Sequence, residues 1–239
     1  MPIRQVFSGV TLIDLPWVNA YLLHKGCDAV LIDTGTHPDR KRVLAALCEV
    51  LPDRFRLTSI LLTHGHSDHA GNAALLADRF DAQLVAHRLE EPYVTGNKSY
   101  APGGLRTLGP SSLLFHLGDV FWPVARRKID RFIADGECVD TPIGPLRVVH
   151  TPGHTMGHVS YYHEKEGWLF SGDALITVVP VWRRAGLCLP MPIFSSDLVA
   201  ARKSAERIAA IGPSALLSGH GWPWVDDTAG AIRRFLGIG

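Results

Sequence analysis

Seven histidine and aspartate side chains, spread over four short segments of the chain, have the types and spacing of metal ligands. The densest segment reads Thr63-His64-Gly65-His66-Ser67-Asp68-His69. Imidazole suits zinc, iron, manganese and nickel, and a carboxylate widens the choice to harder metals. The glycine and the serine let the backbone bend tightly, so that the side chains converge. The cluster is too compact for one ion, which favours His64 and His66 on one metal and Asp68 and His69 on another.

Three further segments each follow a predicted strand and offer one more ligand. The three ligands are His154, Asp173 and His220, and each has a glycine directly before it. A glycine permits a close approach of the backbone near a metal. One such residue at a strand end is usually unremarkable, but together with the first segment the three indicate one shared metal site.

The elements that position these segments are alternating strands and helices. Val18 to Leu23 and Ala29 to Ile32 are apolar runs that predict neighbouring antiparallel strands, and Ser59 to Thr63 predicts a buried strand leading into His64. The other predicted strands cover 83–86, 146–149, 159–162, 168–170 and 215–217, and the predicted helices begin at Pro38 and cover 70–80, 197–211 and 226–236. This pattern predicts one α/β domain over residues 1–239, a layered sandwich with metal-binding loops along one edge of its sheets.

The chain resembles the metallo-β-lactamase fold superfamily from Val18 to about Trp222. The resemblance rests on the motif His-x-His-x-Asp-His at residues 64–69, on His154, Asp173 and His220 in the expected order, and on the upstream turn Asp33-Thr34-Gly35. It implies a four-layer αββα sandwich. It also implies a metal assignment, with Asp173 bridging a first ion held by His64, His66 and His154 and a second ion held by Asp68, His69 and His220. Asp33 is then expected to orient a ligand histidine through a hydrogen bond.

Two metal ions at such a site predict hydrolytic chemistry. Metals about 3.5 to 4 Å apart share a water and acidify it toward neutrality, and the bridging hydroxide attacks a carbonyl or phosphoryl centre. We expect two divalent ions, zinc before iron or manganese. Asp68 and Asp173 are the predicted catalytic residues, and Asp68 both binds metal and accepts the proton of the nucleophile.

Comparison within the superfamily narrows the substrate, because a fold alone does not decide function. True β-lactamases of the common type have a cysteine at the position of Asp173, and acyl-homoserine lactonases usually have a tyrosine where this chain has Ile176. The chain ends nineteen residues after His220, so the glutathione-binding extension of glyoxalase II-like enzymes is expected to be missing. The sequence favours a small ester, thioester or lactone. A mononuclear iron persulfide dioxygenase, a phosphodiester hydrolase and a non-catalytic binding protein stay open as alternatives.

Two segments are predicted to form the walls of the substrate pocket. Glu91 to Val124 is rich in glycine and proline and lacks a regular pattern, as lids and binding loops often do. Thr177 to Phe194 is largely apolar, which hints at a hydrophobic substrate group. The remaining histidines are predicted to lie at the surface or in packing contacts, with His150 a weaker candidate for supporting a ligand. They are His24, His37, His87, His116, His150, His158 and His163.

Composition and net charge limit the classes of partner that the protein is expected to bind. The 239 residues are 46% hydrophobic and 20% charged, with a formal net charge of +1, so no strong field attracts nucleic acid. The sequence shows no signal peptide and no apolar segment near the roughly 20 residues that span a bilayer. The four cysteines predict reduced, mostly buried thiols in a cytoplasmic protein. We expect a small-molecule substrate, no nucleic acid and no membrane as partners, and a homodimer stays open.

Overall fold

Two β-sheets stacked face to face form the centre of the structure, a computed structural model that describes residues 3–98, 126–179 and 184–238. The strands of the seven-stranded sheet follow chain order: β1 Ile3–Phe7, β2 Val10–Asp14, β3 Asn19–Lys25, β4 Asp28–Ile32, β5 Arg56–Leu61, β6 Gln83–His87 and β7 Arg131–Ile133. Strands β1 to β4 pair antiparallel, and β4 to β7 pair parallel.

The second sheet has five strands in the order β14-β11-β10-β9-β8. Its strands are β8 Cys138–Val139, β9 Leu146–His150, β10 Val159–His163, β11 Trp168–Gly172 and β14 Ala215–Ser218, and a separate hairpin consists of β12 Ile176–Val179 and β13 Arg184–Cys188. The α-helices within the described ranges are α1 Arg40–Val50, α2 Ser67–Ala70, α3 Ala73–Phe80, α4 Glu91–Val94, α5 Leu198–Ile211 and α6 Thr228–Leu236.

Three apolar cores separate the layers and confirm the predicted αββα sandwich. The middle core lies between the sheets and includes Tyr161 and Phe170. Leu47 of α1 and Leu76 of α3 belong to the core on the outer face of the first sheet. Ile208 of α5 belongs to the core on the outer face of the second sheet, together with residues of α6. Helix, sheet, sheet and helix therefore follow one another through the molecule.

The apolar run in β4 shows why central strands are hydrophobic throughout rather than in alternation. Ala29 and Leu31 belong to the core beneath the helices, whereas Val30 and Ile32 belong to the core between the sheets. Successive side chains of a strand point to opposite faces, and both faces of this sheet are covered. A continuous apolar run is the expected result.

Strand direction brings the four ligand-bearing segments to one edge of the sandwich. In the first sheet, β4 and β5 are parallel, so the segments that follow them leave from the same edge. In the second sheet, β11 and β14 are parallel, and β9 runs with β11 because both are antiparallel to β10. Hydroxyl groups join the sheets near this edge: Tyr161 donates to the Leu62 carbonyl at 2.8 Å and Tyr21 to the Ser218 carbonyl at 2.7 Å.

The predicted helix over 70–80 is two helices in the structure, because the chain is held against the early turn between α2 and α3. A Cβ on Gly71 would lie 2.7 Å from the Gly35 carbonyl oxygen, so only glycine fits there. The Asn72 side chain donates to the Thr34 carbonyl oxygen at 2.9 Å and to the Thr36 carbonyl oxygen at 2.6 Å. These bonds fasten the segment that carries the main motif to the end of β4.

Two other expectations need correction. The predicted irregular stretch begins with helix α4, Glu91–Val94, so it is wrong there, and its residues 99–124 lie outside the described residues. Cys27, Cys48 and Cys138 are exposed free thiols rather than buried ones, because Cys27 lies in the turn between β3 and β4 and Cys138 lies on the short outer strand β8. Among the described residues, every helix is too short or too polar to cross a membrane.

Candidate metal centre

His64, His66 and His154 point three ring nitrogens at one another. His64 Nε2 lies 3.1 Å from His66 Nδ1, and His66 Nδ1 lies 2.9 Å from His154 Nε2. Nitrogens about 2.0–2.1 Å from a tetrahedral zinc lie about 3.3 Å apart. The three side chains are at most 8% exposed. Their spacing therefore suits a single ion, as the sequence predicted.

Asp68, His69 and His220 form a second group beside the first. Asp68 Oδ2 lies 3.5 Å from His220 Nε2 and 3.8 Å from His69 Nε2. The Asp68 side chain is 32% exposed, whereas the histidine side chains of this group are at most 8% exposed. Asp68 therefore lies on the solvent side of the cluster.

Asp173 lies between the two groups. Its Oδ1 is 3.4 Å from His69 Nε2, and its Oδ2 is 3.1 Å from His220 Nε2 and 3.4 Å from His154 Nε2. One carboxylate thus contacts nitrogens of both groups. The structure brings together all seven side chains that the sequence singled out.

Asp33 fixes the outer sides of two of these histidines, which confirms the predicted hydrogen bond to a histidine of the cluster. Asp33 Oδ2 accepts from His69 Nδ1 at 2.8 Å and from the Thr63 hydroxyl at 2.8 Å. Because the Thr63 proton goes to Asp33, the Thr63 oxygen accepts from His64 Nδ1 at 3.0 Å. In the neutral form of each ring the proton is therefore on Nδ1, and the Nε2 that faces the cluster carries the lone pair. The Asp33 backbone has a φ of 57°, which shows how tightly this turn is constrained.

Unpaired polar atoms test whether these residues fit a metal. Within the described parts of the chain, His69 Nε2 and Asp173 Oδ1 are buried and have no hydrogen-bond partner. Leaving such an atom unpaired costs about 1–3 kcal/mol. Both atoms belong to the cluster, where a cation would satisfy them together. Imidazole with carboxylate is also a donor set of zinc, iron and manganese sites, so the residues fit a metal centre.

The carboxylates and imidazoles of the metal-free cluster shift one another's pKa values. Burial lowers the pKa of His69, but the Asp173 and Asp68 carboxylates outweigh it and raise that pKa well above its ordinary value. The pKa of His220 is also raised, because Asp173 outweighs the effect of burial. Burial and the neighbouring His69 hold the pKa of His64 well below its ordinary value. Protons and cations therefore compete for some of the same nitrogens.

The glycines before the three later ligands do not all serve the predicted purpose. A Cβ on Gly219 would lie 2.5 Å from Asp173 Oδ1 and 2.8 Å from His69 Cε1, so this glycine does allow close approach at the cluster. A Cβ on Gly153 would instead lie 2.1 Å from the backbone nitrogen of Ala201 in α5. Gly153 is therefore required by helix packing.

Glu90 supports the cluster and was missed in the sequence. It is 1% exposed, and its carboxylate accepts from the Gly65 N–H at 2.8 Å, the Thr155 hydroxyl at 2.8 Å and the Gly157 N–H at 2.9 Å. It therefore joins the loop of His64 and His66 to the loop of His154. In the sequence, only its position shortly after a predicted strand points to Glu90 as a supporting residue. The neighbouring Glu91 has the same position, so the sequence does not distinguish the two.

His150 makes a packing contact, as predicted for the remaining histidines, and the prediction for His158 is incomplete. The His150 ring stacks on His87, with centroids 4.6 Å apart, and its Nε2 lies 2.9 Å from the Met156 carbonyl oxygen. It therefore does not support one of the seven residues. His158 is fully buried, and its Nε2 accepts from the Asp173 N–H at 3.0 Å. His116 lies outside the described residues.

The fold and the cluster define an αββα-sandwich protein with a candidate metal centre at one sheet edge. The chain belongs to the metallo-β-lactamase superfamily, whose family model matches residues 17–220. It is 33% identical to "Probable metallo-hydrolase YflN" of Bacillus subtilis (strain 168), over 92% of this chain and 86% of that protein. It is 30% identical to "Probable metallo-hydrolase YybB" of the same organism, over 91% of this chain and 88% of that protein.

A solved structure agrees with the fold. The crystal structure of the metallo-beta-lactamase family protein TTHA1429 from Thermus thermophilus superposes with a TM-score of 0.67 at 24% identity. The match covers 98% of this chain and 80% of that one. At this identity the likeness shows the fold alone. Together with the family match, it confirms the architecture that the motif order implied.

Proposed function

We propose that this chain is a metal-dependent hydrolase that holds two divalent cations and cleaves a small ester, thioester or lactone. The observation that carries the proposal is the convergence of the seven side chains, with three buried atoms among them, His69 Nε2, His154 Nδ1 and Asp173 Oδ1, left without a hydrogen-bond partner. Zinc is the proposed metal, with iron or manganese as alternatives. The two relatives named as probable metallo-hydrolases support the hydrolase class.

In this proposal six of the seven ligands divide into two sets of three. The first ion is held by His64, His66 and His154, and the second ion is held by Asp68, His69 and His220. Asp173 contributes to both. Cations in such a site act as Lewis acids and lower the pKa of water, so that a nucleophile is available near neutral pH.

The two carboxylates have different roles because their exposure differs. The Asp68 side chain is 32% exposed and the Asp173 side chain 8%. Asp68 is the carboxylate of the cluster that water reaches, and it would accept the proton that the nucleophile loses. Asp173 is shielded from water and holds the histidines of the two sets at a fixed separation.

A cavity of about 410 Å³ next to the loop that carries His220 supports a small substrate with an apolar group. Its wall begins next to a proposed ligand, because the Trp17 carbonyl oxygen lies 2.5 Å from His220 Nδ1 and Gly221 follows His220. Aromatic and aliphatic side chains dominate the described lining, and Asp14 supplies its charge. The described residues that line the cavity are Leu12, Asp14, Leu15, Pro16, Trp17, Val18, Asn19, Thr177, Val178, Ala185, Gly186, Gly221, Trp222, Pro223 and Trp224.

This lining favours one substrate class over the others. A mainly apolar wall accepts acyl and hydrocarbon ring groups better than it accepts phosphodiesters, whose charge needs polar partners. Thr177, Val178, Ala185 and Gly186 come from the predicted wall segment 177–194, which supports that prediction. Of the other predicted wall, Glu91 to Val124, the structure describes only residues 91–98, and residues 99–124 lie outside the described residues.

Metal analysis followed by a substrate panel tests the proposal. Protein purified without added metal is analysed for metals and assayed on a low-molecular-weight persulfide. The same protein loaded with zinc is then assayed on neutral esters, thioesters and lactones and on phosphodiesters. We expect two ions per chain and hydrolysis within the first group. One iron per chain with oxygen consumption on the persulfide would overturn the proposal in favour of a dioxygenase. Hydrolysis confined to phosphodiesters would overturn the substrate class.

A further inference from the structure

His158 belongs to a series of buried hydrogen bonds whose donor direction can be assigned from either end. At one end, the backbone N–H of Asp173 donates to His158 Nε2 at 3.0 Å. Nε2 therefore carries a lone pair, and in a neutral ring the proton is on Nδ1. The Nδ1–H then donates to the Thr151 hydroxyl at 2.8 Å. His158 and Thr151 are both at most 1% exposed, so water does not compete for these bonds.

The other end of the series requires the same arrangement. The Ser160 hydroxyl lies 3.2 Å from the carbonyl oxygen of Ser171, which can only accept. Ser160 therefore accepts from the Thr151 hydroxyl, at 3.0 Å, and Thr151 must accept from His158 Nδ1. The series starts and ends on the backbone of one loop, at Ser171 and Asp173. It closes a ring of hydrogen bonds around the residues that lead from β11 to the cluster.

Gly172 brings the His158 ring against this loop. Its backbone has a φ of +49°, and a Cβ there would lie 2.7 Å from His158 Nε2 and 2.8 Å from Thr63 Oγ1. A side chain at this position would push the ring away from the Asp173 N–H. The glycine before Asp173 is thus required by His158.

We propose that His158 is a positioning residue that holds Asp173 between the two sets of metal ligands, as a neutral imidazole with its proton on Nδ1. Its Nε2 lone pair is engaged by the Asp173 N–H, so His158 acts through Asp173 and not as a ligand. The opposite tautomer would set an Nε2–H against the Asp173 N–H, two donors facing each other in a buried site. The inference rests on the proposed function, because it takes Asp173 as the carboxylate shared by both ions.

The tautomer can be observed directly in the native protein. Nitrogen-15 NMR of histidine-labelled chain, with and without zinc, is expected to show His158 with a protonated Nδ1 and an unprotonated Nε2 in both states. A protonated Nε2 in either state would overturn the inference. This measurement does not depend on turnover, so it can be interpreted even if the proposed hydrolase activity fails.

Two isosteric variants separate positioning from packing. In His158→Gln the amide oxygen can stand at the Nε2 position and accept from Asp173, whereas in His158→Asn the amide reaches only the Nδ1 position. We expect His158→Asn to lose about tenfold to a hundredfold in zinc affinity and in kcat/KM, and His158→Gln to recover most of both. Equal losses in the two variants, or native zinc affinity in His158→Asn, would overturn the inference.

His163→Gln is the matched control. His163 is a buried imidazole five residues further on, and its Nε2 lies 3.0 Å from the Ile143 carbonyl oxygen, away from the cluster. It tests the loss of a buried ring near β10 without touching Asp173. We expect His163→Gln to change the melting temperature but not the zinc affinity. A comparable loss of zinc affinity in this control would show that general packing explains the His158 results.

Discussion

Replacing Asp173 with asparagine removes the charge at the centre of the cluster while keeping the shape of the side chain. The carboxylate lies 3.1 to 3.4 Å from nitrogens of His69, His154 and His220. Two unit charges about 4 Å apart, at an effective dielectric constant of about 20, interact by about 4 kcal/mol. The amide oxygen of asparagine recovers part of that loss. We therefore expect kcat/KM to fall at least about a hundredfold, which corresponds to about 2.7 kcal/mol.

The assay must separate loss of metal from loss of fold. Circular dichroism and thermal melting report the fold, elemental analysis reports the ions per chain, and kcat/KM is measured on the best substrate of the panel. Asp28→Asn is the matched control, because Asp28 pairs with Arg56 at the opposite end of β4 from the cluster. A folded Asp173→Asn protein with near-native metal content and activity would refute the central position given to Asp173.

Other changes test the remaining parts of the site. Asp68→Ala should lower turnover about a hundredfold or more, since a positioned proton acceptor contributes about 10²–10⁴ to the rate; near-native turnover would contradict its role. Glu90→Gln should weaken zinc binding about tenfold to a hundredfold. The amide N–H₂ would face a donor either in the loop of His64 and His66 or in the loop of His154. The control variant Glu91→Gln should bind zinc normally. Zinc affinity should rise as the pH increases through and above the ordinary range of histidine, because the carboxylates raise the pKa of His69 and His220 and these protons must leave before zinc binds. Calorimetric titration would show a flat affinity if this competition were absent.

The ligands could be predicted from the sequence because their chemistry is local. A strand buried on both faces is a short apolar run, as at Ala29 to Ile32, and the turn that follows it is polar. Histidine and aspartate concentrated directly after such strands have few other uses. Strand direction then brings these turns to one edge of the sandwich. The residue type and its position directly after a strand were therefore sufficient to predict the seven ligands. The half-exposed strand β1, Ile3–Phe7, offers no such run and was missed.

The supporting residues could not be predicted in this way, because their roles are set by partners far along the chain. Glu90 accepts from Gly65, 25 residues before it, and from Gly157, 67 residues after it. Nothing near Glu90 in the sequence distinguishes it from a surface carboxylate. His158 likewise lies four residues after His154, a spacing that by itself indicates nothing about its role. Its function follows from Asp173 N–H, a backbone group that no sequence pattern reveals.

The hydrogen bonds on the outer side of the cluster explain why a cation, rather than water, suits its inner side. His69 donates to the Asp33 carboxylate, and His220 donates to the Trp17 carbonyl oxygen. Neither acceptor can donate a proton in return, so Nδ1 carries a proton in each ring, and each neutral ring directs its Nε2 lone pair inward. Lone pairs and carboxylate oxygens that face one another in a buried space repel unless protons or cations lie between them. The fold thus sets the direction of these nitrogens, and we propose that differences in substrate among proteins that share it come from walls such as the tryptophan-lined cavity.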